Sequence, residues 1–138
     1  MTAKMIFIEG TDRSGKGSLM QAIHKATNYK HVIFDRGPIS NLVYATANGR
    51  LTPELQSEYE DLEKQIAKTR HIVLYLECGT KELQRRMKET NHEHVDFASH
   101  KKLFNMYLTH TPLKVMKIDT TRRSPEEIVE ILAERGII

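Results

Sequence analysis

Met5-Ile6-Phe7-Ile8-Glu9-Gly10-Thr11-Asp12-Arg13-Ser14-Gly15-Lys16-Gly17-Ser18 is the stretch on which the fold turns. Its first four residues are apolar and β-branched or aromatic in character, the composition of a buried strand. Gly10 and Gly15 occupy the first and sixth positions of the loop that follows, with Lys16 directly after. From Lys16 a helical pattern sets in, with Leu19, Ile23 and Ala26 on one face. Strand, glycine-rich loop and helix in that order turn successive backbone N–H groups and a helix N-terminus toward an anion, and the lysine reaches the outer phosphates. The residues expected around a bound nucleotide are therefore Gly10, Asp12, Ser14, Gly15, Lys16, Gly17 and Ser18. In the usual motif a Ser or Thr follows the lysine and holds magnesium. Here Gly17 intervenes, so Ser18 either ligates Mg2+ directly or reaches it through water.

Downstream, strand-like and helical patterns alternate. His31-Val32-Ile33-Phe34 reads as a second buried strand, closed by Asp35-Arg36-Gly37-Pro38. A helical stretch over 39–47 ends near the turn signal Asn48-Gly49. Thr52 as N-cap and Pro53 at the first helical position open the next helix, whose stripe is Leu55, Tyr59, Leu62 and Ile66. That stripe reads as core packing, with its upper end available to wall an acceptor base. Ile72-Val73-Leu74-Tyr75-Leu76 is a third strand, followed by a helix with Leu83 and Met87 inward. A polar break over 90–96 precedes a helix carrying Leu103, Phe104, Tyr107 and Leu108. Lys114-Val115-Met116-Lys117-Ile118 is the fourth strand; Ser124-Pro125-Glu126-Glu127 is a capping box, and Gly136 stops the last helix. Alternation of this kind implies a parallel sheet covered by helices on both faces, with ligands at the carboxyl ends of the strands.

The composition is that of an ordinary soluble globular protein, with 39% apolar and 28% charged residues in 138. This length suits one domain spanning 1–138. No run approaches the ~20 apolar residues of a membrane span, and the chain enters its first strand too soon for a signal peptide. The single cysteine, Cys78, excludes an internal disulfide and fits a cytoplasmic location. A net charge of +3 suits a protein that handles polyphosphates and is too small to imply nucleic-acid binding.

The segment Ile8 to Lys16, with Asp12 after the first glycine and Arg13 beside it, resembles the thymidylate kinase family of nucleoside monophosphate kinases. Asp35-Arg36 resembles that family's Asp-Arg motif. Tyr75-Leu76-Glu77 with Leu83, Arg85 and Arg86 resembles its third core strand and lid-entry helix, and Ile118-Asp119 with the loop to Ser124 its last strand and adenine-side loop. The resemblance implies a P-loop kinase three-layer α/β sandwich. Because the Asp-Arg strand follows the first helix after only a short turn near Asn28–Lys30, the family's usual second strand is missing. A trimmed sheet of about four mostly parallel strands in the order 2-1-3-4 is expected, with an abbreviated acceptor pocket.

By that resemblance the chain uses ATP and Mg2+ to phosphorylate a small nucleotide acceptor, and a short mobile lid occupies about 89–98. Phosphoryl transfer asks a protein for positioning and charge stabilisation. Lys16 and the loop amides supply these on the donor side. Residues 89–98 hold no arginine, so Arg13 is the residue expected to bridge donor and acceptor. Asp35 is expected to orient magnesium, or else to anchor Arg36 or cap the helix after it. Arg36 suits bidentate contact with an acceptor phosphate. Asp12 would accept from an acceptor sugar hydroxyl or hold Arg13. Arg85 is placed near the nucleotide, and Arg122 with Arg123 beside the adenine or on a plain surface turn. His92, Glu93, His94 and Asp96 lack the spacing of a structured zinc site and read as solvated lid residues.

Three rival readings remain. A deoxynucleoside kinase would use Asp35 or Asp12 as base. A kinase acting on a modified base or end within nucleic acid would need a basic aromatic stripe, hinted at only by Lys101, Lys102 and Phe104. A nucleotide-binding module without catalysis would not need two arginines aimed at phosphates. A guanine-reading Asn-Lys-x-Asp motif is absent from the sequence. An exposed helical stripe on a short chain is compatible with a homodimer.

Overall fold

The computed structural model describes residues 2–11, 13–89 and 96–138. Its elements run β1 (Met5–Gly10), α1 (Lys16–Ala26), β2 (Val32–Asp35), α2 (Pro38–Ala47), α3 (Pro53–Ala67), β3 (His71–Glu77), α4 (Thr80–Glu89), α5 (Phe97–His110), β4 (Val115–Asp119) and α6 (Pro125–Glu134). All strand pairs are parallel and the sheet order is β2-β1-β3-β4, the order expected from the sequence. The strands outlast their apolar runs: β1 continues through Glu9 and Gly10, which pair with Tyr75 and Leu76.

Alternation along the two central strands builds a core on each face. Ile6 and Ile8 of β1 with Ile72, Leu74 and Leu76 of β3 pack against Leu19 and Ile23 of α1 and Ile128 and Leu132 of α6. Phe7, Val73 and Tyr75 point the other way, against Ile39 and Val43 of α2, Ile66 of α3 and Phe104 and Leu108 of α5. Leu83 and Met87 of α4 close a smaller cluster with Cys78 and Phe97. This is a three-layer α/β fold of the P-loop type, and no helix among the described residues is long and apolar enough to cross a membrane.

Local signals behave as their chemistry requires. Thr52 accepts from the Leu55 amide at 3.1 Å, and the Ser124–Glu127 capping box closes in both directions. Asp96, grouped above with the lid, is the N-cap of α5 and accepts from the Ser99 amide at 3.0 Å. Asn28 and Tyr29 are both left-handed, φ 52° and 59°, and turn the chain from α1 into β2.

Two expectations change. β2 is not a buried strand: among the described residues it is an edge paired with β1 alone, and Val32 and Phe34 remain 53% and 39% exposed. Leu62 is 46% exposed, and the inward stripe of α3 passes through Glu63 instead. Both positions border the stripe of 55, 59 and 66, and the Thr111 hydroxyl donates to the buried Glu63 carboxylate.

Candidate functional site

The loop between β1 and α1 keeps its carbonyls tied back. Lys16 is buried, and its Nζ donates to the carbonyls of Thr11 at 2.9 Å and Gly10 at 3.3 Å. Arg86 Nη1, from α4, donates to the Arg13 carbonyl at 2.6 Å. Thr120, the residue after β4, donates through Oγ1 to the Ser14 carbonyl at 2.9 Å. With its carbonyl oxygens engaged in this way, the loop is left to offer N–H groups to an anion. Gly10 cannot be another residue: at φ 152° a Cβ there would stand 2.8 Å from Ser14 Oγ and 2.9 Å from the Leu76 carbonyl.

Over this loop opens a cavity of about 530 Å³. Arg13, Ser14, Gly15, Lys16, Gly17, Ser18 and Asp35 line it, joined by Arg86, Glu89, Thr120, Arg123, Pro125 and Ile128. Arg13, Lys16, Arg86 and Arg123 outweigh Asp35 and Glu89, so the cavity favours an anion. Its size is that of a small-molecule site, generally about 300–1,000 Å³. Asp35 ends β2 opposite Ile8, and brings a carboxylate to the cavity across from Ser18 on α1. A hydroxyl and a carboxylate are oxygen donors that suit Mg2+, which takes few protein ligands when phosphates complete its shell. Among the described residues no three His, Cys, Asp or Glu side chains assemble into a metal cage.

Arg36 lies outside the cavity lining, one residue past Asp35. Its backbone is left-handed, φ 73°, and its amide donates to the Ile8 carbonyl at 2.9 Å. The guanidinium sits 5.0 Å from the centroid of the Tyr44 ring on α2. Tyr44 is itself held edge-on by His100 and Phe104 of α5.

Two of the expected basic contacts move by one residue. Arg85 is turned away from the cavity into ion pairs with Glu82 and Glu89, and Arg86 faces the loop. Helical phase decides this: Leu83 and Met87 point inward, so position 86 flanks the buried face and 85 does not. Glu82 serves both arginines, and those hydrogen bonds, led by Arg85, pull its carboxyl down to about 2. Arg122 is likewise an exposed turn residue outside the lining, and Arg123 takes the place beside Pro125. Asp12, His92, Glu93, His94 and the centre of the 89–98 segment lie outside the described residues.

Sequence reading missed Thr120 and Glu9. Thr120 carries no motif; its position just beyond the last strand was the one available sign. Glu9 is fully buried and accepts from the amides of Gly37 at 3.0 Å and Ser40 at 2.8 Å, and from the Ser40 hydroxyl. Burial pushes its carboxyl up, opposed by these donors and by the charge of Lys16.

No family model matches the chain, and no curated protein matches it. Among solved structures it is similar to the YorR protein of Bacillus subtilis, crystallised in complex with phosphorylated GDP. The superposition has a TM-score of 0.77, covers 96% of this chain and 95% of that one, and carries 21% identity. At that identity the likeness establishes a shared fold, and function has to be argued from the site.

Proposed function

We propose that the chain is a nucleotide kinase, a single domain over 1–138 that transfers the γ-phosphoryl group of ATP to a thymidylate-like (deoxy)nucleoside monophosphate. One observation carries this reading: Arg13, Lys16 and Asp35 meet at one cavity at the carboxyl ends of β1 and β2, with Arg36 on the next residue. The fold shared with YorR, whose crystal structure holds phosphorylated GDP, supports a nucleotide in that cavity.

Lys16 and the loop amides bind the donor phosphates, and Arg13 stabilises charge as it spreads between donor and acceptor. Arg36 holds the acceptor phosphate as a planar fork, a task that a base would not serve. Ser18 and Asp35 are the residues that would hold Mg2+, which supplies neutralisation of phosphate charge when bound. Residues around 89–98 act as the lid.

The test is ADP release from ATP and Mg2+ across a panel of nucleosides and nucleoside monophosphates, with Lys16→Ala and Arg36→Ala alongside. GTP is run as a second donor, given the guanine nucleotide in the similar structure. Turnover with a monophosphate, lost in both variants, is the expected result. Turnover with nucleosides alone would transfer the central role to Asp35 as base. No turnover with ATP still bound would leave a binding module.

A further inference from the structure

We propose that Glu9 is a positioning residue for the acceptor side of the site, capping α2 from the neighbouring strand and thereby fixing where Arg36 begins. The proposal rests on the kinase reading above for what Arg36 holds; the placement itself rests on geometry alone.

The first amides of a helix need acceptors, and the residue just before the helix normally supplies one from its side chain. At α2 that residue is Gly37, which has no side chain to give. Nor could it have one: a Cβ at Gly37 would stand 2.7 Å from Phe7 Cδ1, in the ring that stacks on Phe34. The cap therefore has to come from elsewhere, and it comes from Glu9, 31 residues earlier than Ser40. The carboxylate takes the Gly37 amide on one oxygen and the Ser40 amide on the other, and the Ser40 hydroxyl adds a third donor. Pro38 between them has no N–H to satisfy.

Two consequences follow for the site. Arg36 is clamped from both sides by consecutive residues of β1: its own amide is held by Ile8, and the next amide by Glu9. That double hold keeps a non-glycine residue at φ 73°, a conformation L residues seldom adopt. The residue after Glu9 is Gly10, the first of the phosphate loop, so one strand end sets both the donor cradle and the base of the acceptor arginine. The second consequence concerns charge. A helix N-terminus attracts anions, and here Glu9 already occupies it. An acceptor phosphate therefore meets the Arg36 guanidinium and not the amides of α2. Glu9 itself, fully buried, is out of reach of any substrate hydroxyl.

The test compares wild type with Glu9→Gln and the milder Ser40→Ala. Backbone amide exchange is followed by NMR, and binding of dTMP and of ATP is measured separately by calorimetry. In Glu9→Gln one amide N–H faces another in place of an acceptor, so exchange at Gly37 and Ser40 should quicken about tenfold or more while β3 amides keep their protection. Affinity for dTMP should fall about tenfold and ATP affinity should hold within about twofold, with Ser40→Ala smaller in the same direction. Unchanged exchange at 37 and 40 would overturn the capping role. Equal losses for dTMP and ATP would overturn the positioning role and leave a general brace. If wild type binds ATP but no nucleoside monophosphate, the kinase reading falls and takes the acceptor role of this proposal with it, whatever the exchange shows.

Discussion

Arg86 Nη1 lies 2.6 Å from the carbonyl oxygen of Arg13, joining α4 to the loop between β1 and α1. Among the described residues the neighbouring Arg85 forms its ion pairs on its own helix, with Glu82 and Glu89. Replacing Arg86 with Ala removes a charge-assisted hydrogen bond, about 1.5–3 kcal/mol, and frees the Arg13 carbonyl to turn toward the cavity. ATP affinity should drop roughly tenfold to a hundredfold in Arg86→Ala. Arg85→Ala should change it by less than about fivefold, since solvent screens an exposed ion pair and leaves it little net effect. Calorimetric titration of both variants with ATP would separate the two; equal effects would mean that the loop does not depend on this contact.

Two glycines flanking the loop, Gly10 at the end of β1 and Gly17 in α1, should respond in different ways to alanine. At Gly10 the added methyl meets the Leu76 backbone carbonyl at 2.9 Å as well as Ser14 Oγ, and the φ of 152° is unsuited to any side chain. Gly10→Ala should lose about 2–4 kcal/mol of stability from overpacking together with backbone strain. At Gly17, inside α1, a Cβ would meet nothing within 4 Å. Gly17→Ala should leave stability unchanged or raise it by up to about 1 kcal/mol through helix propensity. Urea denaturation midpoints report both.

Burial holds the Glu63 carboxyl above its ordinary range, with the Thr111 hydroxyl pulling it back and Glu60 pushing it further up. The folded chain therefore holds this proton more tightly than the unfolded chain does. Stability from the group is complete below the unfolded pKa and is lost as pH rises through the folded one. Glu63→Gln keeps an oxygen for Thr111 without the charge. It should melt higher than wild type at about pH 7.5, and the gap should close at about pH 4, below the ordinary glutamate pKa. Parallel melting curves at both pH values would contradict the assignment.

Phe104 is fully buried between Tyr75 at 5.2 Å and Tyr44 at 6.1 Å, so it joins the core to the ring beneath Arg36. Phe104→Ala should cost about 3–5 kcal/mol of stability by leaving a cavity. Phe104→Leu, which refills most of it, should recover over half of that loss. Chemical denaturation of the pair measures this.

The fold was legible because its signals are local. Met5 to Ser18 carries strand, turn and helix in one uninterrupted stretch, and the caps at Thr52 and Ser124 act within three or four residues of themselves. Apolar runs bounded by turns gave the strands, and the trimmed connection near Asn28 fixed the order 2-1-3-4 through the Asp-Arg resemblance. Exposure of β2 was not legible, because an apolar run reads the same at an edge as at a centre until its neighbours are known. Leu62 and Glu63 were not separable because a helical stripe tolerates a shift of one residue, and the partner of the buried Glu63, the Thr111 hydroxyl, lies 48 residues further along the chain.

The amino-acid sequence by itself determined the strand–loop–helix unit of β1 and α1, the apolar runs of the other strands, and the positions of Lys16 at the start of α1 and Asp35 at the end of β2, since each is a pattern among residues close in the chain. Tertiary structure alone decided that Arg86 and not Arg85 meets the loop, that Thr120 secures Ser14, and that Glu9 caps a helix whose own N-cap is glycine. Those contacts join residues between 28 and 106 positions apart. Their geometry is set by helix phase and close packing across the sheet, and no local pattern in the chain encodes it.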